Sequence, residues 1–129
     1  MSKIEDLEIL KLAESLSDLL WEKVGSWDKF NRETVGKQLV RSADSIGANI
    51  AEGFGRYAMK ENLHFCYYAR GSFIETRYWL NRVRVRKLMS SEEMNQIREI
   101  TERLGPKLNA YISYIKSSSI VSKSKSQEQ

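Results

Sequence analysis

A chain of 129 residues with 41% hydrophobic and 29% charged side chains has room for one well-filled core, because either half alone falls near the size at which burial becomes marginal. No apolar run approaches the roughly 20 residues that cross a bilayer, and Met1-Ser2-Lys3-Ile4-Glu5-Asp6 lacks the basic and apolar regions of a secretory signal, so a cytoplasmic location is expected. A single cysteine, Cys66, excludes an intrachain disulfide and a cysteine-based metal site. The formal net charge of +4 is unevenly spread: residues 1–30 carry four basic against seven acidic side chains, whereas residues 31–90 carry eleven against five. A positive middle suits an anionic partner without requiring one.

Four segments show helical periodicity, and no strand-like alternation persists. In the first, about residues 4–24, Ile9, Leu12, Ala13, Leu16, Leu19 and Leu20 form one stripe, ended by Gly25-Ser26-Trp27-Asp28. The second, about 32–54, sets Val35, Leu39, Ala43, Ile46, Ile50 and Phe54 on one face. Its polar face is a narrow row of Thr34, Gln38, Arg41, Ser45, Asn49, Glu52 and Arg56. Small residues, among them Gly36, Ser42, Gly47 and Ala51, lower helix propensity there but let a neighbouring backbone come close. Gly53-Phe54-Gly55 then breaks the helix.

The third segment, about 59–87, repeats Phe65, Ala69, Ser72, Thr76, Trp79, Leu80 and Val83 at bundle spacing. A second row, Tyr67, Gly71, Ile74, Tyr78 and Val85, lies roughly opposite, and a small protein with a helix apolar on two sides is expected to bury the second against another subunit. The fourth opens on a capping box, Ser90 with Glu93, and runs Met94, Ile97, Thr101, Leu104, Leu108, Tyr111 and Ile115. Gly105-Pro106 falls inside it, where resumption of the register predicts a kink and not a stop. Short connections predict an antiparallel, up-and-down four-helix bundle over residues 1–116, followed by a disordered polar tail over 117–129.

The stretch QLVRSADSIGANIAEGFGR from Gln38 to Arg56, followed by Lys60-Glu61, Phe65, ARGS at 69–72 and Glu75, resembles the signature of the four-helix-bundle proteins encoded within bacterial 23S rRNA intervening sequences. The similarity extends more loosely from the first helix to about Lys116. The family often carries proline in the segment where this chain has Gly47. The resemblance implies a bacterial four-helix bundle that assembles as a ring-like homopentamer with a basic surface or pore. In fold and assembly it also resembles the accessory proteins that bind reverse transcriptase and RNA in diversity-generating retroelements.

Each candidate site has a plainer reading beside the functional one. The signature row of Arg41, Ser45, Asn49, Glu52 and Arg56 would contact a ligand or nucleic acid; equally, Glu52 would pair with Arg56 at i,i+4 while Asn49 bonds a neighbouring helix and the row fixes register. The run RYWLNRVRVRK supplies Arg77, Arg82, Arg84, Arg86 and Lys87. Arg70, Arg77 and Arg84, seven apart with Asn81 close by, would track phosphates, or would be a solvated face. Tyr67, Tyr78 and Trp79 would stack on bases or, more simply, pack within and between subunits, with Tyr67, Ile74, Tyr78 and Val85 as the interface. His64 lacks an orienting partner and a nearby nucleophile, Cys66 reads as a packing residue, and no Glu-x-x-His pairs recur. Gly53 and Gly55 follow a helix and lack the lysine-serine ending of a phosphate loop. The expectation is therefore a non-enzymatic oligomeric binding protein, without a cofactor or metal, that engages RNA or DNA through its basic surface. The alternative is a protein-binding adaptor, for example an accessory subunit of a reverse transcriptase.

Overall fold

The computed structural model describes residues 7–128, with side chains described through Ser118. Every element is helical: α1 (Glu8–Gly25), a three-residue turn α2 (Lys29–Asn31) leading through a π-turn (Arg32–Gly36) into α3 (Lys37–Phe54), then α4 (Met59–Val85) and α5 (Ser91–Glu128). Four of these helices are long, and among the described residues there is no strand and no helix long and apolar enough to cross a membrane. The expected start of the first helix at residue 4 lies outside the described residues. The tail expected over 117–129 lies mostly beyond the described side chains; the helical backbone runs on through Ser117 and Ser118.

The α1–α3 connection is built from local polar bonds. Ser26 Oγ donates to the Lys23 carbonyl at 2.7 Å, closing α1. Asp28 then caps the next turn, its carboxylate accepting from the Asn31 backbone N–H at 3.2 Å and the Asn31 amide at 2.7 Å. Those bonds, the amide first, hold the Asp28 carboxyl below the usual carboxylate range. The single helix expected from residue 32 instead follows a capped turn and begins as a π-turn over 32–36, becoming regular α-helix only from Lys37. At the end of that wider turn Gly36 lies so close to α1 that a Cβ would meet Val24 Cγ1 at 2.6 Å and Trp27 Cε3 at 3.3 Å.

Each long helix packs on two others: α1 on α3 and α5, and α4 on the same pair. Between them lie the fully buried Leu16, Leu20, Leu39, Ile46, Ile50, Ile97, Leu104 and Leu108, each contributing roughly 1.5–3 kcal/mol by leaving water. Contacts between α3 and α4 pair rising with falling numbers. Ser42 meets Thr76 (hydroxyls 3.0 Å apart), Ser45 meets Ser72 (2.8 Å), and Gly53 meets Asn62 and Phe65. On α4 the buried set is Asn62, Cys66, Ala69, Phe73, Thr76, Leu80 and Val83. The expected stripe shares four of these, whereas its Phe65, Ser72 and Trp79 are half-buried on the flank and Phe73 takes a central place. Phe73 fits because Gly105 faces it: a Cβ there would lie 3.1 Å from the ring. α5 continues through Pro106 with Leu104 and Leu108 both buried.

The capping box forms reciprocally. Glu93 N–H donates to Ser90 Oγ at 3.1 Å and Ser90 N–H donates to Glu93 Oε1 at 3.0 Å. Glu93 also reaches Lys23 of α1 at 3.5 Å. The Ser90 backbone bond foremost, then its hydroxyl and Lys23, hold the Glu93 carboxyl below its usual 4.5. A carboxyl whose pKa falls on folding stabilises the fold above its unfolded value and loses that contribution as pH drops through the folded one. Replacing Glu93 with Ala is expected to cost about 1 kcal/mol at neutral pH. Glu93→Gln, which keeps an acceptor for Ser90, is expected to cost less and to flatten the stability profile below pH 4.5 in urea titrations.

Candidate nucleic-acid interface

Helix α4 has more than one exposed face. One holds the second apolar row: Tyr67 is 37% exposed, Ile74 61%, Tyr78 57% and Val85 49%. Gly71 sits among them with nothing within 4 Å of where its Cβ would be. Aromatic and branched side chains facing water along about five turns of one helix are uncommon unless something covers them. Tyr78 is braced edge-on against Trp79, ring centroids 5.0 Å apart.

Beside that row, toward α5, lies the basic one. Arg77, Asn81 and Arg84 line a groove of about 740 Å³ between α4 and α5, opposite Arg98, Thr101 and Glu102, with Phe73, Leu80 and Ile97 in its lining. Past Arg84 and Arg98 a second hollow of about 460 Å³ adds Lys87, Ser90, Ser91 and Asn95. Four cations and one carboxylate thus border a channel made of two adjoining hollows that share Arg84, Met94 and Arg98, a balance that attracts polyanions. The structure divides the expected ridge: Arg70 does not border the channel but stacks on Tyr67, its guanidinium carbon 5.2 Å from the ring centroid. Arg86, exposed at the C-cap of α4, borders neither hollow.

Arg98 carries no signal of a basic site in the sequence. It belongs to the glutamate-rich first half of α5, and only the packing of α5 against the Arg77 flank of α4 gives it basic neighbours. Its Nη1 donates to Asn95 Oδ1 at 3.5 Å, one turn earlier.

The signature row on α3 is engaged within the fold. Asn49 donates to the Ser45 carbonyl at 2.8 Å and to Ser45 Oγ at 3.0 Å, and Ser45 Oγ accepts from Ser72 of α4. At the foot of the helix Arg56 pairs with Glu52 and lies over the Phe65 ring, 4.9 Å from its centroid. Gly53 between them lets the α3–α4 corner close, since a Cβ would meet Asn62 Oδ1 at 2.7 Å and Phe65 Cβ at 2.9 Å. Arg41 is exposed further up. Gly47 lies mid-helix in an unbroken α3, with ordinary spacing to Leu10 and Ala13.

The remaining candidates stay apart from the channel. Cys66 is buried and its thiol is pushed up to about 11 by desolvation, which keeps it protonated and unreactive near neutral pH. His64 is exposed on α4, and no group of three His, Cys, Asp or Glu side chains placed to hold a metal occurs among the described residues.

This fold has solved counterparts. One is the crystal structure of a protein of unknown function from the S23 ribosomal protein family of Bacteroides thetaiotaomicron. It aligns with a TM-score of 0.69 at 24% identity, covering 85% of this chain and 98% of that one, and at that identity the likeness concerns fold alone. No curated protein matches the chain. A family model described as 23S rRNA-intervening sequence protein matches residues 5–110, taking in α1, α3, α4, the signature corner and the first half of α5, and the chain belongs to that family.

Proposed function

We propose that the chain is a non-enzymatic, homo-oligomeric nucleic-acid-binding protein of antiparallel, up-and-down bundle architecture, whose α4–α5 channel engages the phosphates of structured RNA or of an RNA–protein complex. One observation carries the reading: Arg77, Asn81 and Arg84 meet Arg98 from another helix across a single channel in which Glu102 is the one acidic wall residue. A merely solvated basic face would scatter its charges over one helix exposed to water. Here two helices turn them toward the same space. The apolar floor of Phe73, Leu80 and Ile97 lowers the local dielectric and strengthens the field felt by an anion above it. Such contacts position a backbone and do not read bases.

The test is filter binding of the full chain to RNA and to DNA at two salt concentrations. Affinity is expected to fall steeply with salt, and the double variant Arg77→Gln, Arg84→Gln is expected to reduce both affinity and the salt slope, by about one unit of slope per phosphate contact removed. Absence of binding to either polymer at low salt would sink the proposal. Capture of a protein partner that persists after nuclease treatment would instead favour the adaptor reading.

A further inference from the structure

The lower end of the channel differs in chemistry from the rest. Arg84 and Lys87 reach it from the end of α4 and Arg98 from α5, with Asn95, Ser90 and Ser91 completing the polar wall and Met89 and Met94 the apolar one. No carboxylate lines it; Glu102 belongs to the upper groove, and Glu93 is turned to Lys23 of α1. None of the three cations takes part in an ion pair among the described residues, whose pairs involve Lys23, Arg56, Arg103 and Lys107. Three positive side chains converging on one hollow without a counter-ion repel one another, and an anion between them removes that cost.

Lys87 adds a second observation. It occupies φ 57°, the left-handed position that ends α4, with Lys87 N–H bonded to the Arg84 carbonyl and Leu88 N–H to the Val83 carbonyl in a Schellman pattern. Glycine takes that conformation at the lowest cost. A lysine held there, directly beside Arg84 and Arg98 in the hollow, is a strained residue at a place where its charge has a use.

We propose that the α4–α5 corner is a discrete phosphate-binding site built from Arg84, Lys87 and Arg98. Two forked guanidiniums grip the oxygens of a tetrahedral anion while the ammonium supplies a point charge. The proposal rests on the nucleic-acid reading only for the source of the phosphate, whether a strand terminus or an internal diester.

Calorimetry of the full chain with inorganic phosphate, with sodium chloride at matched ionic strength as control, tests the site itself. Saturable binding is expected, weakened about tenfold by Lys87→Gly and by Arg98→Gln and unchanged by Lys11→Gln, an exposed cation on α1 far from the hollow's lining. Lys87→Gly removes the charge while relaxing the backbone, so weaker binding in that variant cannot be blamed on misfolding. A second arm compares 5′-phosphorylated and 5′-hydroxyl RNA of one sequence. Preference for the phosphorylated strand, lost in Lys87→Gly, assigns the terminal group; equal binding that falls in Lys87→Gly assigns an internal phosphate. No saturable phosphate binding, or binding indifferent to Lys87→Gly and Arg98→Gln, overturns the site. If RNA fails to bind while phosphate binding holds, the nucleic-acid reading falls and the site stands.

Discussion

Gly53→Ala is expected to destabilise the bundle by about 2–3 kcal/mol, the range of an overpacked core position whose neighbours cannot yield. The added methyl would press on Asn62 Oδ1 at 2.7 Å, on Phe65 Cβ at 2.9 Å and on the Asn62 carbonyl at 3.1 Å. The amide of Asn62 could rotate, but the other two atoms are the start of a side chain and a backbone oxygen, so α3 and α4 must separate at their most closely packed corner. Separation would also loosen Arg56 from the Phe65 ring, and rotation of the Asn62 amide would disturb its contact with the Cys66 thiol one turn along α4, now 3.5 Å. Gly47→Ala is the internal control. Its Cβ would meet Leu10 Cδ1 at 3.6 Å and Ala13 Cβ at 3.8 Å, ordinary contact distances. It is therefore expected to be neutral or to stabilise by up to about 1 kcal/mol through helix propensity. Urea denaturation of the two variants side by side checks the claim, and equal midpoints would show that the Gly53 corner is not the constraint inferred here.

That contrast gives the IAEGFGR signature a physical meaning. Glu52, Gly53 and Arg56 are spaced so that an ion pair straddles a contact only glycine permits, with the guanidinium closing over Phe65 of the next helix. Nothing in those bonds needs a ligand.

The helices themselves were legible in the sequence because their stripes are long and their ends carry recognisable chemistry. Ser90 and Glu93 form the expected reciprocal cap, and Leu16, Leu20, Leu39, Ile46, Leu104 and Leu108 are buried as their spacing requires. The face that α4 buries is less legible. With apolar residues around much of its circumference, periodicity alone could not choose between Trp79 and Phe73, and the choice is made by Gly105 on another helix. Arg98 was hidden for the same reason, since a groove between helices is a property of their packing and not of either sequence. The π-turn before α3 had no signal beyond Gly36, whose need for space against Val24 and Trp27 appears only in three dimensions. Spacing groups Arg70 with Arg77 and Arg84, whereas its guanidinium lies over the Tyr67 ring and outside the lining of either hollow.

Self-association, the other large expected effect, turns on Gly71. Glycine inside a helix costs about 0.5–1 kcal/mol relative to alanine, and in the single chain nothing near Gly71 explains it, in contrast with Gly36, Gly53 and Gly105. Flanked by the exposed Tyr67, Ile74 and Tyr78, it leaves a shallow notch in an otherwise bulky face, suited to the close approach of another helix backbone. The homo-oligomer proposed above places that helix in a second copy of the chain. Light scattering is then expected to give a mass several times 15.0 kDa. Tyr78→Arg, which sets a charge in the centre of the apolar face, is expected to weaken association by about 2 kcal/mol or more and to lower the observed mass. Gly71→Ala separates the two environments. In a chain that stays monomeric it can only gain helix propensity, raising stability by about 0.5–1 kcal/mol. In an assembly that uses the notch, the methyl group lowers the mass at a given concentration while the dissociated chain becomes more stable. A wild-type chain that is a monodisperse monomer refutes self-association; an oligomer indifferent to Gly71→Ala but broken by Tyr78→Arg keeps the face and moves the close approach elsewhere along it.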